Sequence, residues 1–166
     1  MKVVRKQKNS KSCIVCGINN PAGLRAPFYE MEDGSVVTLF EYKAIHQSYP
    51  GRAHGGMITC MLDELAGRVI WVGQPVDNPP LAVTSSLKVK FRKPVPFDEQ
   101  LIGIGRLAKE NSRGFVATAE IRNKAGAVLA QAEVTYVKLP ASAITSSDMV
   151  DELDVFIPDD VTDIEI

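Results

Sequence analysis

HGGMITCMLDEL, residues 54–65, is the stretch on which the reading of the fold turns. It opens a proline-free run to Val72 made mainly of Met, Ile, Leu, Ala and Val, which predicts one helix over roughly residues 55–72. Apolar positions fall on nearly every side, the pattern of a buried helix rather than one lying half in water. Asp63 and Glu64 break that pattern, and a histidine and two glycines precede it. A carboxylate on a buried helix is costly unless it is paired, hydrogen-bonded or protonated. Adjacent helical residues point about 100° apart, so Asp63 and Glu64 are not read as a carboxylate pair. Glu64 is expected in a surface or interface ion pair. Asp63 is either an interface carboxylate satisfied by backbone donors or a cation, or a catalytic base or nucleophile.

Outward from the helix the period changes. Upstream, residues 26–31 and 35–42 read as a strand pair joined by Glu32-Asp33-Gly34, since Asp-Gly is a strong hairpin signal. Downstream, LAVTSSLKVKFRK alternates Val83, Leu87, Val89 and Phe91 with polar residues, a half-buried strand. Residues 101–109, 115–122 and 127–139 read as three further strands with short hairpin links. One apolar helix among antiparallel strands is buried by a curved sheet wrapped around it, an α+β hotdog fold. Such a sheet keeps free edges that call for a second copy.

The 166 residues suit one domain, and 45% apolar with 23% charged residues excludes wholesale disorder. A net charge of −1 hides an asymmetry: residues 140–166 hold eight acids and no Lys or Arg, leaving 19 basic residues against 12 acids elsewhere. The division expected is a flexible basic arm over 1–12, a hotdog domain over 13–139 and an acidic tail over 140–166. A modestly basic body suits a phosphate-bearing ligand, but no aromatic-basic motif accompanies it and nucleic acid is not expected. The longest apolar run is interrupted by Asp63, Glu64 and Arg68, so no membrane span is expected. With no apolar core behind the basic start and only three cysteines, a cytoplasmic protein is expected.

His54-Gly55-Gly56 places unpaired backbone N–H groups at the positive end of the helix dipole, with no side-chain bulk to hold a ligand oxygen away. That is the design of an oxyanion hole, although the glycines also suit a tight turn into the helix. GRAHGGMITCMLDELAG, with Asp63 nine residues after His54, closely resembles the hotdog-fold acyl-CoA thioesterases of the PaaI-like and 4-hydroxybenzoyl-CoA-thioesterase-related branch. CIVCGINNPAGL and LAVTSSLKVKFRKPVP extend the resemblance over about residues 13–139.

The resemblance implies thioester hydrolysis to a free acid and CoA, without a cofactor, in a homodimer or tetramer whose active site lies between subunits. By position, Asp63 matches the catalytic carboxylate, acting as base on water or as nucleophile, and Gly55 the glycine whose N–H polarises the carbonyl. His54 matches the histidine lining that site, Gly56 its neighbour, and Thr84 the hydroxyl that positions the attacking water. One subset of the family has Asn where this chain has Ser48; Gln47 or His46 are candidates to replace that amide. The departure supports an alternative, a non-catalytic acyl-CoA-binding or sensor module. Arg92, Lys93 and Arg113 are candidate contacts for CoA phosphates. Cys13 and Cys16 form half a zinc site whose other half would have to come from Cys60, His46 or His54, none in a second C-x-x-C, or from a partner chain, so no metal is expected. Cys60 reads as a small core residue.

Overall fold

The computed structural model describes the backbone of residues 1–166 and the side chains of all but 149 and 150. Seven strands are laid down: β1 (Val3–Lys6), β2 (Tyr29–Met31), β3 (Val36–Phe40), β4 (Ala82–Phe91), β5 (Leu101–Glu110), β6 (Gly114–Arg122) and β7 (Val128–Lys138). They join in one sheet of order β1-β2-β3-β5-β6-β7-β4, every neighbouring pair antiparallel. The Asp-Gly turn between β2 and β3 forms as expected, with Gly34 at a positive φ of 78° that a side chain would resist.

Between β3 and β4 the chain leaves the sheet to form α1 (Gly55–Gly67), continued by a 3-10 turn over Arg68–Trp71. α1 packs on β3, β4, β5, β6 and β7. Its Ile58, Met61, Leu62, Leu65 and Ala66 are buried against Phe40, Leu101, Phe115, Ala117, Ile121 and Val134. Each large side chain buried there contributes about 1.5–3 kcal/mol. Close approach of helix to sheet depends on Gly105, where a Cβ would come within 2.7 Å of the Leu65 carbonyl oxygen. The result is the hotdog arrangement: one central helix against an antiparallel sheet.

The expectation of a helix buried all round is met only on its sheet side. Thr59, Cys60, Asp63 and Glu64 are half-buried. A single sheet covers one side of a helix, and within one chain the other side is covered less completely. β4 lies at a sheet edge, where Phe91 is 55% exposed.

Residues 3–6, within the stretch expected to be a flexible arm, form β1 and pair with β2. The acidic tail, which carries α2 (Ala141–Ile144) and α3 (Met149–Leu153), runs back along this arm. Lys6 meets Asp159 at 2.6 Å, Lys8 meets Asp154 at 2.6 Å and Lys11 meets Asp151 at 2.5 Å. Ile164 then packs with Tyr29, Met31, Val37 and Ile104 in a second apolar cluster. Opposite charge and that apolar end account for the ordering of an arm that was expected to be flexible. No helix among the described residues is long and apolar enough to cross a membrane.

Candidate active site

Asp63 is fixed on the less covered side of α1 by two hydroxyls. Thr84 Oγ1, from β4, donates to Asp63 Oδ1 at 2.8 Å. The Tyr136 hydroxyl, from β7, lies 3.0 Å from the same oxygen and 2.6 Å from the Asp63 backbone carbonyl. Tyr136 is buried and stacks on Phe115 with ring centroids 4.5 Å apart. Burial first, and then the charge of Asp63, push its phenol well above the ordinary tyrosine range, so it stays a donor. Thr84 was expected to position the attacking water, and its hydroxyl is found on the carboxylate itself; Tyr136 was not expected here. Its signal in the sequence was a lone phenol among the inward-facing apolar positions of β7, and a buried hydroxyl needs a partner.

These groups line a cavity of about 260 Å³ that also takes in Cys13, Arg68 and Leu153. Cys60, one turn before Asp63, is half-buried, and burial followed by the Asp63 charge raises its thiol pKa. That leaves it a poor nucleophile, as its reading as a packing residue implied.

At the other end of α1, His54 is the N-cap and its Nδ1 accepts from the Gly56 N–H at 2.9 Å. Gly56 is therefore committed to capping, whereas the Gly55 N–H has no partner among the described residues. Phe91 lies beside it, 3.5 Å from where a Cβ on Gly55 would sit. Gln47 pairs with Ala53 across an isolated bridge and Ser48 N–H donates to Arg52 O, so both flank this end of the helix. His46 is no substitute for the missing amide. It is buried, its Nδ1 accepts from the Lys43 N–H, and Nε2 is left to donate to Ala22 O at 2.9 Å.

A helix rise of 1.5 Å per residue puts Gly55 about 12 Å from Asp63. One chain therefore does not bring the unpaired N–H and the carboxylate together. The basic candidates are divided in the same way. Arg92 and Lys93 follow Phe91 near Gly55, whereas Arg113 adjoins Gly114, which pairs with Val137 near the Thr84 end of the sheet. All three are exposed.

Glu64 forms the ion pair expected of it, to Arg68 Nε at 2.8 Å, but its partner is buried. The Arg68 guanidinium lies 4.5 Å from both the Phe28 and Trp71 ring centroids and donates to Lys8 O. Cys13, Cys16 and Glu64 hold their donor atoms within 4.8 Å of one another. Glu64, rather than Cys60, His46 or His54, is thus the group beside the two thiols. A divalent cation there would have three protein donors and a buried guanidinium next to it, a poor fit for a closed tetrahedral site.

A family model described as the thioesterase superfamily matches residues 50–137, more than half of the chain. The chain belongs to the thioesterase superfamily. Among relatives, the acyl-coenzyme A thioesterase THEM4 of Rattus norvegicus is 26% identical over 115 residues, 69% of this chain and 47% of that protein. This superfamily member thus spans about half the length of that relative. The crystal structure of a thioesterase superfamily protein shares its fold with a TM-score of 0.68, at 26% identity over 75% of this chain and 59% of the other. A hypothetical thioesterase from Streptococcus pneumoniae, solved with coenzyme A, gives a TM-score of 0.59 at 23% identity, covering 68% of this chain and 84% of that one.

Proposed function

We propose that this chain is an acyl-CoA thioesterase that works as a homodimer, its active site built from the Gly55 end of α1 in one subunit and Asp63 in the other. The observation that carries the reading is the split within one chain: a hydroxyl-fixed carboxylate and an unpaired helix N–H, about 12 Å apart on one helix. Two helices running in opposite directions would supply each group to the other, twice over by symmetry. The similarity to an acyl-coenzyme A thioesterase, and to a structure that holds coenzyme A, supports the substrate class.

In this reading the thioester carbonyl oxygen accepts from the Gly55 N–H, where negative charge develops as the carbonyl carbon becomes tetrahedral. The partner subunit's Asp63 activates a water or attacks directly, and Thr84 holds the carboxylate in place. With water as the attacking group, collapse of the intermediate breaks the carbon–sulfur bond and releases CoA thiol and the free acid. With Asp63 as nucleophile, the same bond breakage leaves an acyl–Asp63 anhydride, which a water then hydrolyses to the free acid and regenerated carboxylate. Arg92, Lys93 and Arg113 are the candidate phosphate contacts, and Gln47, Ser48 and His54 border the carbonyl end. A cytoplasmic setting remains part of the proposal.

The test is thiol release across short, medium, long and aromatic acyl-CoAs. Turnover on at least one, reduced about 10²–10⁴-fold in Asp63→Asn with the dimer intact, is the expected result. Ser48, where a family subset has Asn, favours a second reading, a module that binds acyl-CoA without hydrolysing it. Tight binding by calorimetry with no thiol release from any substrate would establish that reading instead.

A further inference from the structure

Cys13 and Cys16 take no part in the proposed hydrolysis, yet their arrangement is specific. The Gly17 N–H donates to Cys13 O at 2.8 Å, closing one helical turn around the pair. A Cβ on Gly17 would lie 2.3 Å from that carbonyl oxygen, so the turn requires glycine there. Residues three apart on such a turn fall within the roughly 4.4–6.8 Å Cα separation that a disulfide spans, and the two sulfurs are within 4.8 Å already.

The sulfurs also differ in surroundings. Cys13 is half-buried on the cavity that holds Asp63, and its Sγ accepts from the Val15 N–H at 3.3 Å. Cys16 is 1% exposed and lies 3.3 Å from Ser10 Oγ. Interaction with Cys16 draws the Cys13 thiol down to about 7, against burial and the Glu64 carboxylate, to which Cys13 Sγ donates at 3.8 Å, while interaction with Cys13 and burial push Cys16 up. An accessible sulfur that favours thiolate, backed by a buried one that favours thiol, is an attacking and resolving pair.

We propose that Cys13 and Cys16 are a redox-active dithiol that closes to an intramolecular disulfide on the wall of the Asp63 cavity. The oxidant class is a small-molecule disulfide, for which glutathione disulfide is the probe. Cys13 thiolate attacks one glutathione sulfur; the glutathione S–S bond breaks and a mixed disulfide forms as the first glutathione leaves as thiolate. Cys16, on losing its proton, attacks Cys13 Sγ, forms the intramolecular bond and expels the second glutathione. Two electrons pass from the two protein sulfurs to the oxidant, and the two thiol protons end on the departing glutathiones.

The full chain is equilibrated in glutathione buffers of graded redox ratio, then alkylated in denaturant, with a native aliquot alongside, and weighed intact. Cys13 and Cys16 are expected to escape alkylation together, with the mass lower by two hydrogens before alkylation, while Cys60 remains reactive. Cys16→Ser is expected to accumulate a glutathione adduct at Cys13, and Cys13→Ser to form neither adduct nor disulfide. Circular dichroism of both variants, with Cys16→Ala as a second replacement, separates this outcome from misfolding. Full alkylation of Cys13 and Cys16 in the most oxidising buffer would overturn the proposal, and so would adducts confined to Cys60. Thiols shielded by stoichiometric zinc until a chelator removes it would overturn it in favour of a metal site. None of these readouts depends on thioester hydrolysis, so the dithiol and the enzyme succeed or fail separately.

Discussion

The Tyr136 hydroxyl sits 2.6 Å from the backbone carbonyl of Asp63 and 3.0 Å from its carboxylate Oδ1. β7 thereby grips both the main chain and the side chain of the residue that α1 presents to the cavity. Because Tyr136 is held as the neutral phenol, this grip persists across the working pH range of a hydrolase. Tyr136→Phe keeps the ring on Phe115 and deletes only the hydroxyl. Loss of one hydrogen bond to a charged group, about 1.5–3 kcal/mol, predicts a fall in kcat of roughly ten- to a hundredfold. KM is expected to stay near wild type, since Tyr136 positions the carboxylate rather than the acyl-CoA. An unchanged kcat would show that Thr84 alone holds Asp63.

Gly55 offers a cleaner cut than an alanine substitution. It is the first residue of α1, where proline is tolerated because its missing N–H has no helical partner. His54 before it already has φ −68° and ψ 138°, the region that proline imposes on its predecessor. Added side-chain carbon would meet Phe91 at an ordinary 3.5 Å. Gly55→Pro is therefore expected to leave thermal unfolding near wild type and to lower kcat about 10²–10³-fold, the effect of losing one oxyanion donor. Gly55→Ala retains the N–H and is the control.

Arg68 supplies a stability prediction. It is 2% exposed, and Glu64 is its one anionic ion-pair partner among the described residues. Glu64→Gln leaves a buried guanidinium without that compensation, a change that costs about 3–5 kcal/mol in comparable pairs. For a domain of this size that corresponds to a drop of roughly 6–20 °C in Tm. Arg68→Met, which removes charge and keeps apolar volume between Phe28 and Trp71, is expected to cost less than Glu64→Gln. The reverse order in calorimetry would mean that the guanidinium is not paying its desolvation through Glu64.

The acidic tail gives a pH prediction. A bond from Lys8 lowers the Asp154 pKa; at Asp159, burial acts upward but bonds from Lys6 and Tyr29 outweigh it and the net shift is down. A depressed carboxylate contributes stability that is complete above its unfolded value and is lost as pH falls through the folded one. The tail is thus expected to stay on the arm above the ordinary aspartate range near pH 4 and to loosen progressively below it. Hydrogen exchange of residues 151–166, compared with the β5–β7 core, reads this directly. High salt at neutral pH is expected to loosen the same segment, since Lys8 and Lys11 pair with exposed partners. A tail whose protection, corrected for the intrinsic exchange rate at each pH, is no lower at pH 3 than at pH 7 would place its attachment in the Ile164 cluster instead.

The central architecture was legible because periodicity was strong where burial was one-sided. The β4–β7 strands follow from alternation nearly to their ends, and α1 follows from a proline-free, mainly apolar run, although its expected end at 72 is a 3-10 turn after Gly67. Thr84 was legible only through resemblance, since a threonine in an alternating strand carries no private signal. Tyr136 was hidden for the opposite reason: a tyrosine in a strand fits the core pattern, and its partner is 73 residues away. The arm was misleading because the pairing of Lys6, Lys8 and Lys11 with acids near the other end of the chain is a relation between segments. Composition of either one alone reads as solvated charge.

Whether the site is shared between subunits is decided by mixing two inactive proteins. Asp63→Asn retains a competent Gly55 end, and Gly55→Pro retains a competent carboxylate. If each active site takes one group from each chain, a mixed dimer rebuilds one intact site and spoils the other. Random exchange makes half the dimers mixed, so the mixture is expected to recover about a quarter of wild-type turnover. Recovery should appear only after partial denaturation and refolding or prolonged incubation allows subunits to exchange. If Asp63 and Gly55 instead served one site within a single chain, no mixed dimer would contain an intact site. The mixture would then stay as inactive as its components, and the about 12 Å between the two groups would have to be closed by movement within α1 itself.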